Sequence, residues 1–317
     1  MGVSVEARGL VRTFGALRAV DGVDLTVHDN EVFGIVGPDA AGKTTLLRML
    51  VGVLSATEGT VSLCGHDLVR ERARTRLLLG YMSQAFSLYE DLTVAENIWF
   101  FATLRRVKRK DRKARAQRLL EATRLAPFTK RPAGKLSGGM KQKLGLICTL
   151  VHEPRVLFMD EPTNGVDPVS RREFWDIIGE LRQRLSVVVT TPSLDEAERC
   201  DRVALMDAGR FVALDTPEAL RARVTEPVWE VDVGQPFHAA EALGQLLPDS
   251  AVQLFGDRLH VVHDIHPARI RDALDEAGHP ARVRRVEPSL EDAYVQIVGG
   301  GGEALEITDP IGPGGTP

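Results

Sequence analysis

From Val3 to Val27 apolar and polar residues alternate, first in VSVEARGLVRTF and again in AVDGVDLTV, which predicts two strands with Asp21-Gly22 as a turn signal. An apolar run at Val32, Phe33, Ile35 and Val36 then leads through a glycine-rich loop into an apolar helix start. Gly59 to Gly65 reads as a short strand, Asp67 to Leu78 as a helix, and Leu79 to Gln84 as a strand ending on a polar side chain. Leu92 to Leu125 is helix-rich, with Thr93 as cap and Glu96 three residues on. Leu136 to Leu150 reads as a Ser/Gly-rich turn opening into an amphipathic helix. Arg155 to Asp160 and Ser186 to Thr191 are buried-type strands. Strands alternating with helices imply a largely parallel sheet that holds its ligands at the strand carboxyl ends.

Past Ala222 the rhythm changes. Val228 to Val233, Arg258 to Val262 and Arg282 to Val286 alternate as short strands. Helices are expected over Ala239 to Leu247, Pro267 to Ala277 and Ser289 to Val298, the last capped by Ser289. The Gly/Pro-rich tail from Gly299 to Pro317 is expected to be disordered.

At 317 residues, 44% apolar and 26% charged, the chain has room for one large core and a smaller domain. No apolar run reaches the roughly 18 residues of a spanning helix. The polar, strand-like start carries no secretory core, so a cytosolic location is expected. Cys64, Cys148 and Cys200 have no metal or redox spacing; their odd number suits a reducing compartment, and they read as buried small hydrophobes. A net charge of −4 gives no global case for nucleic acid. Arg105 to Arg118 is the local exception, with nine basic residues and a single acid. It reads as a solvated helix face, as a surface for anionic lipid headgroups or a membrane partner, or as a nucleic-acid contact. His260, His263 and His266 invite a metal reading that no Cys or acid cluster supports.

The strongest chemistry lies between Val32 and Met49. Gly37-Pro38-Asp39-Ala40-Ala41-Gly42-Lys43-Thr44 fits the phosphate-wrapping pattern G-x-x-x-x-G-K-[ST] between a strand and a helix. Loop N–H groups and the helix N-terminus supply fixed positive charge for a triphosphate. Lys43 would bridge the β- and γ-phosphates, the Thr44 hydroxyl would ligate Mg²⁺, and Thr45 would hold the α-phosphate region. Phe14, at the tip between the first two strands, offers a ring face for adenine.

Further residues identify a family. Leu136-Ser137-Gly138-Gly139-Met140 resembles the signature motif of ATP-binding-cassette (ABC) ATPases, and RVLFMDEP resembles their Walker B strand. Gln84 matches the Q-loop glutamine and Asn164-Gly165-Val166-Asp167 the D-loop. The chain is most similar to ATPases of the bacterial type-two exporter branch, which includes drug-efflux systems. The resemblance implies a P-loop α/β fold of ABC type with an antiparallel β subdomain and a helical subdomain. It also implies a small α/β C-terminal accessory domain, involved in regulation or dimer contact. The expected boundaries are 1–222 for the nucleotide-binding domain (helical subdomain about 85–150), 223–298 for the accessory domain and 299–317 for the tail.

The resemblance also implies roles. Asp160 and Gln84 join Thr44 at Mg²⁺, while Glu161 orients and polarises the attacking water. Ser137, Gly138 and Gly139 bind the γ-phosphate of ATP held by a second ABC ATPase subunit, because family members sandwich nucleotide between head-to-tail modules. Membrane-spanning permease subunits would dock near Gln84 to Leu104, through apolar residues among Phe86, Leu88, Tyr89, Trp99, Phe100 and Phe101. No nucleic-acid partner is expected, and the protein would lie on the inner face of the membrane.

Three positions depart from the pattern. Pro192 stands where the family has a histidine that contacts the γ-phosphate, and proline offers neither a side-chain donor nor an N–H. Ala40 replaces a glycine in the phosphate loop. Met140 replaces a glutamine, a milder change. The first two weaken the site on this chain's own loop and leave intact the motif lent to a partner, which points to the slow-site member of an asymmetric pair. The competing readings are a homodimer with a weakened site, a soluble ABC ATPase acting on nucleic acid or ribosomes, and an ATP-gated regulator with little hydrolysis.

Overall fold

The computed structural model describes residues 2–84, 88–248 and 251–299, so Phe86 and the tail beyond residue 299 lie outside the described residues. The chain divides into two compact units, Met1–Phe211 and Val212–Pro317.

In the first unit β1 (Val3–Phe14) pairs antiparallel with β2 (Leu17–His28). The turn lies at Gly15-Ala16, which corrects the expectation for Asp21-Gly22. Those two residues sit inside β2 at a register irregularity, where Gly22 takes φ 71° between the pairs Leu10–Val23 and Val11–Asp21. A bulge uses the same left-handed freedom as a turn, so the local signal does not separate them. Next come β3 (Val32–Val36), α1 (Lys43–Leu50), β4 (Glu58–Leu63), β5 (His66–Asp67), α2 (Arg72–Leu78) and β6 (Leu79–Met82). The helix expected from Asp67 begins only at Arg72, because the Asp67 carboxylate accepts from the N–H groups of Val69 (2.9 Å) and Arg70 (2.7 Å) and closes a turn.

α3 (Val94–Leu104), α4 (Arg109–Ala122) and α5 (Gly138–Leu150) form a helical layer around Val94, Ile98, Leu120, Leu144 and Ile147. The box expected at Thr93 and Glu96 is present in full, each side chain bonding the other's backbone N–H. α5 is not amphipathic as expected. Every residue from Lys143 to Leu150 is buried, since the helix runs through the interior.

β7 (Val156–Asp160), α6 (Pro168–Leu181), β8 (Ser186–Thr191), α7 (Leu194–Ala197), β9 (Arg202–Asp207) and β10 (Arg210–Asp215) follow. One sheet has the order β2-β1-β4-β5; the other has the order β10-β9-β3-β8-β7-β6, in which β9, β3, β8, β7 and β6 run parallel. β3, β7 and β8 are buried along their whole length, as continuous apolar runs in a doubly covered sheet require. β3 and β7 are not neighbours; β8 lies between them, which brings the ends of distant segments together. Cys148 and Cys200 are buried as expected, whereas Cys64 is only half-buried.

The second unit contains α8 (Pro217–Arg221), β11 (Val228–Val233), α9 (Pro236–Gly244), β12 (Val252–Phe255), β13 (Arg258–Val262), α10 (Pro267–Glu276), β14 (Ala281–Val286) and α11 (Leu290–Gly299). Its antiparallel sheet, ordered β12-β13-β11-β14, packs on Leu243, Ile270 and Leu274; β12 was not anticipated. His260 is buried, stacks on Phe255 (centroids 4.3 Å apart) and bonds Asp292 through Nδ1 at 3.0 Å. Among the described residues no group of three or more His, Cys, Asp or Glu side chains could hold a metal, and no helix is long and apolar enough to cross a membrane.

Candidate functional site

The loop after β3 is held by backbone crowding. A Cβ at Gly37 would lie 2.1 Å from the Met206 carbonyl, and one at Gly42 2.3 Å from that of Ala19. Gly42, at φ 104°, starts α1 without a side-chain cap, so the first N–H groups of that helix keep their capacity for an anion. Pro38, Asp39 and Ala40 are exposed on the rim, and Ala41 is buried beneath them. Ala40 has φ 65°, so the alanine occupies the left-handed region at a cost of about 1 kcal/mol. Lys43 is buried; its Nζ donates to the carbonyls of Gly37 and Pro38 (2.9 Å each) and lies 3.6 Å from Glu161 Oε1.

Asp160 ends β7 with no exposure at all. Its Oδ1 accepts from Thr44 Oγ1 (2.9 Å) and Thr190 Oγ1 (2.8 Å), while its Oδ2 is buried with no hydrogen-bond partner. An orphaned carboxylate oxygen is costly and calls for a cation. The oxygen donors of Thr44, Asp160 and Gln84 fit a hard ion such as Mg²⁺.

Glu161, one residue on, takes φ 47°, and its N–H donates to the Thr190 carbonyl (3.0 Å) and hydroxyl (3.2 Å). Its Oε2 accepts from Gln84 Nε2 (3.0 Å) and Asn164 Nδ2 (3.1 Å). The carboxylate is thereby aimed by Gln84 and by Asn164 of its own turn, with Lys43 facing its other oxygen. Lys43, Thr44, Gln84, Asp160 and Glu161 are thus brought together, and Thr45 sits half-buried on the first turn of α1.

Among the described residues no hydrogen bond or ion pair joins Phe14, Ser137, Gly138 or Gly139 to this cluster. Ser137 caps α5, its Oγ accepting from the Met140 N–H at 3.3 Å, which leaves the hydroxyl proton for another acceptor. A Cβ at Gly138 would meet open space, whereas one at Gly139 would strike Ser170 at 2.5 Å. The first glycine therefore gives access and the second gives packing. Phe14 is 46% exposed, with the Arg12 guanidinium 4.6 Å over its ring.

Pro192 is exposed just beyond β8, and the neighbouring Ser193 N–H is already taken by Thr191 Oγ1 (3.0 Å). Thr190 and Glu196 enter the site region without a role expected of them, and Asn164, matched only as part of the D-loop, bonds Glu161. Glu196 is buried; it accepts from Thr163 Oγ1 and from Thr191 Oγ1 (2.6 Å), and faces Arg171 at 3.5 Å. It ties the turn after Glu161 to the end of β8. An acid three residues past a serine at a helix N-terminus is too common a pattern to have signalled this.

Of the apolar and aromatic residues expected to form a docking face, Tyr89, Trp99 and Phe100 are exposed, whereas Leu88 and Phe101 pack on the helical core.

Comparison with known proteins gives a consistent result. The pattern defining the ABC transporter family matches residues 20–164. The chain is 42% identical over 308 residues to the probable multidrug ABC transporter ATP-binding protein YbhF of Escherichia coli (strain K12), covering 94% of this chain and 52% of that protein. It thus spans about half the length of that relative. The daunorubicin resistance ATP-binding protein DrrA3 of Streptomyces coeruleorubidus is 34% identical over 304 residues, covering 93% of this chain and 96% of that one. Among solved structures, an ATP-binding subunit of an ABC transporter superposes with TM-score 0.63 at 26% identity, covering 69% of this chain and 92% of that chain.

Proposed function

The chain belongs to the ABC transporter family, and from that premise we propose that it is the ATP-binding, ATP-hydrolysing subunit of an exporter whose membrane-spanning permease subunits are separate. The observation that carries the reading is the orphaned Oδ2 of Asp160 beside Thr44, at the carboxyl end of a parallel strand and next to an uncapped helix N-terminus. Bound Mg²⁺ would neutralise charge developing on the phosphates. The chain's own groups do the rest. The triphosphate competes for Lys43 Nζ against two loop carbonyls, drawing it from Glu161. Glu161 Oε1 is then left to accept a proton from water, while Gln84 and Asn164 hold Oε2. Ser137 and the open backbone at Gly138 serve a nucleotide on a second ABC subunit, and Phe14 stacks the adenine. The exposed Tyr89, Trp99 and Phe100 would receive the permease, with the protein on the inner face of the membrane. The test is ATP hydrolysis by the full chain with and without Mg²⁺. Glu161→Gln should abolish turnover while nucleotide is still bound; metal-independent turnover, or turnover surviving that substitution, would refute the reading.

The finer reading is a slow site paired with a faster one. Pro192 and the Ser193 N–H, already engaged, leave no donor where the family places a histidine, and Ala40 strains the loop after β3. Losing one oriented donor slows such reactions by about 10²–10³-fold. Pro192→His should recover part of that loss. Full-rate turnover by the unaltered chain alone would exclude the asymmetric pair.

A further inference from the structure

The corner between α3 and α4 carries a dense run of positive charge. Between Arg105 and Lys113 seven cations stand against the single acid Asp111, in a chain whose net charge is −4. Arg106, Lys108, Arg109, Lys110 and Lys113 are exposed and take part in no ion pair among the described residues. Farther along α4 the cations do have partners, Arg115 and Arg118 both pairing with Glu153 at 2.7 Å. The uncompensated charge is therefore confined to the start of the helix.

Apolar side chains border this knob. Leu104, the last residue of α3, is 63% exposed, and Trp99 one turn earlier is 48% exposed. Arg105 Nη1 donates to the Arg76 carbonyl at 3.4 Å, which brings the end of α2, with its exposed Leu77, beside the cluster. The corner is preformed. Arg112 donates to the Val107 carbonyl (2.9 Å) and to Thr103 Oγ1 (2.7 Å), and its guanidinium covers the Trp99 ring at 4.7 Å.

We propose that this corner binds the anionic headgroup surface of a phospholipid bilayer. Charge complementarity carries the assignment: five unpaired cations within eight residues match a leaflet of phosphates. α4 buries only Leu120 and so presents no apolar stripe for a protein helix. Leu104 and Leu77 have the setting of interfacial side chains, apolar bodies entering the headgroup layer beside cations. The patch is a compact knob rather than a track along a polyanion, which favours a membrane over nucleic acid. The proposal is independent of the ATPase reading, because it requires neither nucleotide nor permease.

The test is co-sedimentation of the full chain with vesicles of phosphatidylcholine alone or mixed with phosphatidylglycerol. Binding should require phosphatidylglycerol and be largely lost on raising salt to about 0.5 M. Each cation near an anionic leaflet is worth about fivefold in partitioning, so K108Q/K110Q/K113Q should weaken binding on the order of a hundredfold with an unchanged melting temperature. Equal partitioning onto both vesicles, salt-insensitive binding or an unaffected triple variant would overturn the proposal. Tighter retention by duplex DNA than by phosphatidylglycerol vesicles at equal salt would assign the corner to nucleic acid instead. If the triple variant fails to fold, the headgroup and salt comparisons on the unaltered chain decide.

Discussion

Two fully buried aspartates, one in each unit, live in opposite circumstances. Asp292 spends both oxygens inside its own unit. It meets His260 Nδ1 at 3.0 and 3.2 Å and accepts from the Ser289 N–H (2.8 Å) and hydroxyl (2.6 Å). Asp160 spends one oxygen on Thr44 and Thr190 and leaves the other without a partner. A closed polar cluster fastens β13 to α11 and asks for nothing more. An open one holds unfavourable energy in the ligand-free protein that a bound cation would relieve. Residual hydrogen-bonding capacity thus separates the site from the scaffold better than burial or residue type does.

The sharpest way to break this comparison is Asp160→Asn. Hydrolysis should fall by at least about 10²–10³-fold, while the melting temperature of the nucleotide-free protein rises, since the amide needs no cation. A lower melting temperature would mean that the buried carboxylate is satisfied after all. The matching change in the second unit, Asp292→Ala, should do the reverse. Leaving His260 buried without its partner costs about 3 kcal/mol, read by urea unfolding, with ATP turnover within about twofold.

Acid sharpens the contrast further. Burial alone would raise the Asp292 pKa, but hydrogen bonds from His260 and Ser289 outweigh it and hold the carboxyl below the usual carboxylate range. A depressed folded-state pKa contributes stability that is complete above the unfolded value, about 3.9. That contribution is lost as pH falls through the folded-state pKa. The urea midpoint of the second unit should therefore drop in that acid window, and Asp292→Asn should flatten the drop. The smallest effect concerns loop strain. Ala40→Gly should stabilise the nucleotide-free chain by at most about 1 kcal/mol, since glycine relieves the positive φ and loses more entropy on folding.

The phosphate loop, β3, β7, β8, the Thr93 cap and the Asp160-Glu161 pair were legible along the chain, because each is encoded within a few residues by periodicity, capping chemistry or crowding around glycine. Gly22 misled because one local signal serves both a turn and a bulge. β12 escaped because four residues give too short a pattern.

The sequence by itself determined which groups could hold a triphosphate and which end of which strand would carry them. Only the tertiary structure decided who orients whom. Gln84 lies 77 residues from Glu161, Thr190 lies 30 from Asp160, and His260 lies 32 from Asp292. Such pairs leave no trace in local spacing. They exist because β7 lies between β8 and β6 and because α11 folds back on β13, and a hydrogen bond depends on distance in space, not along the chain.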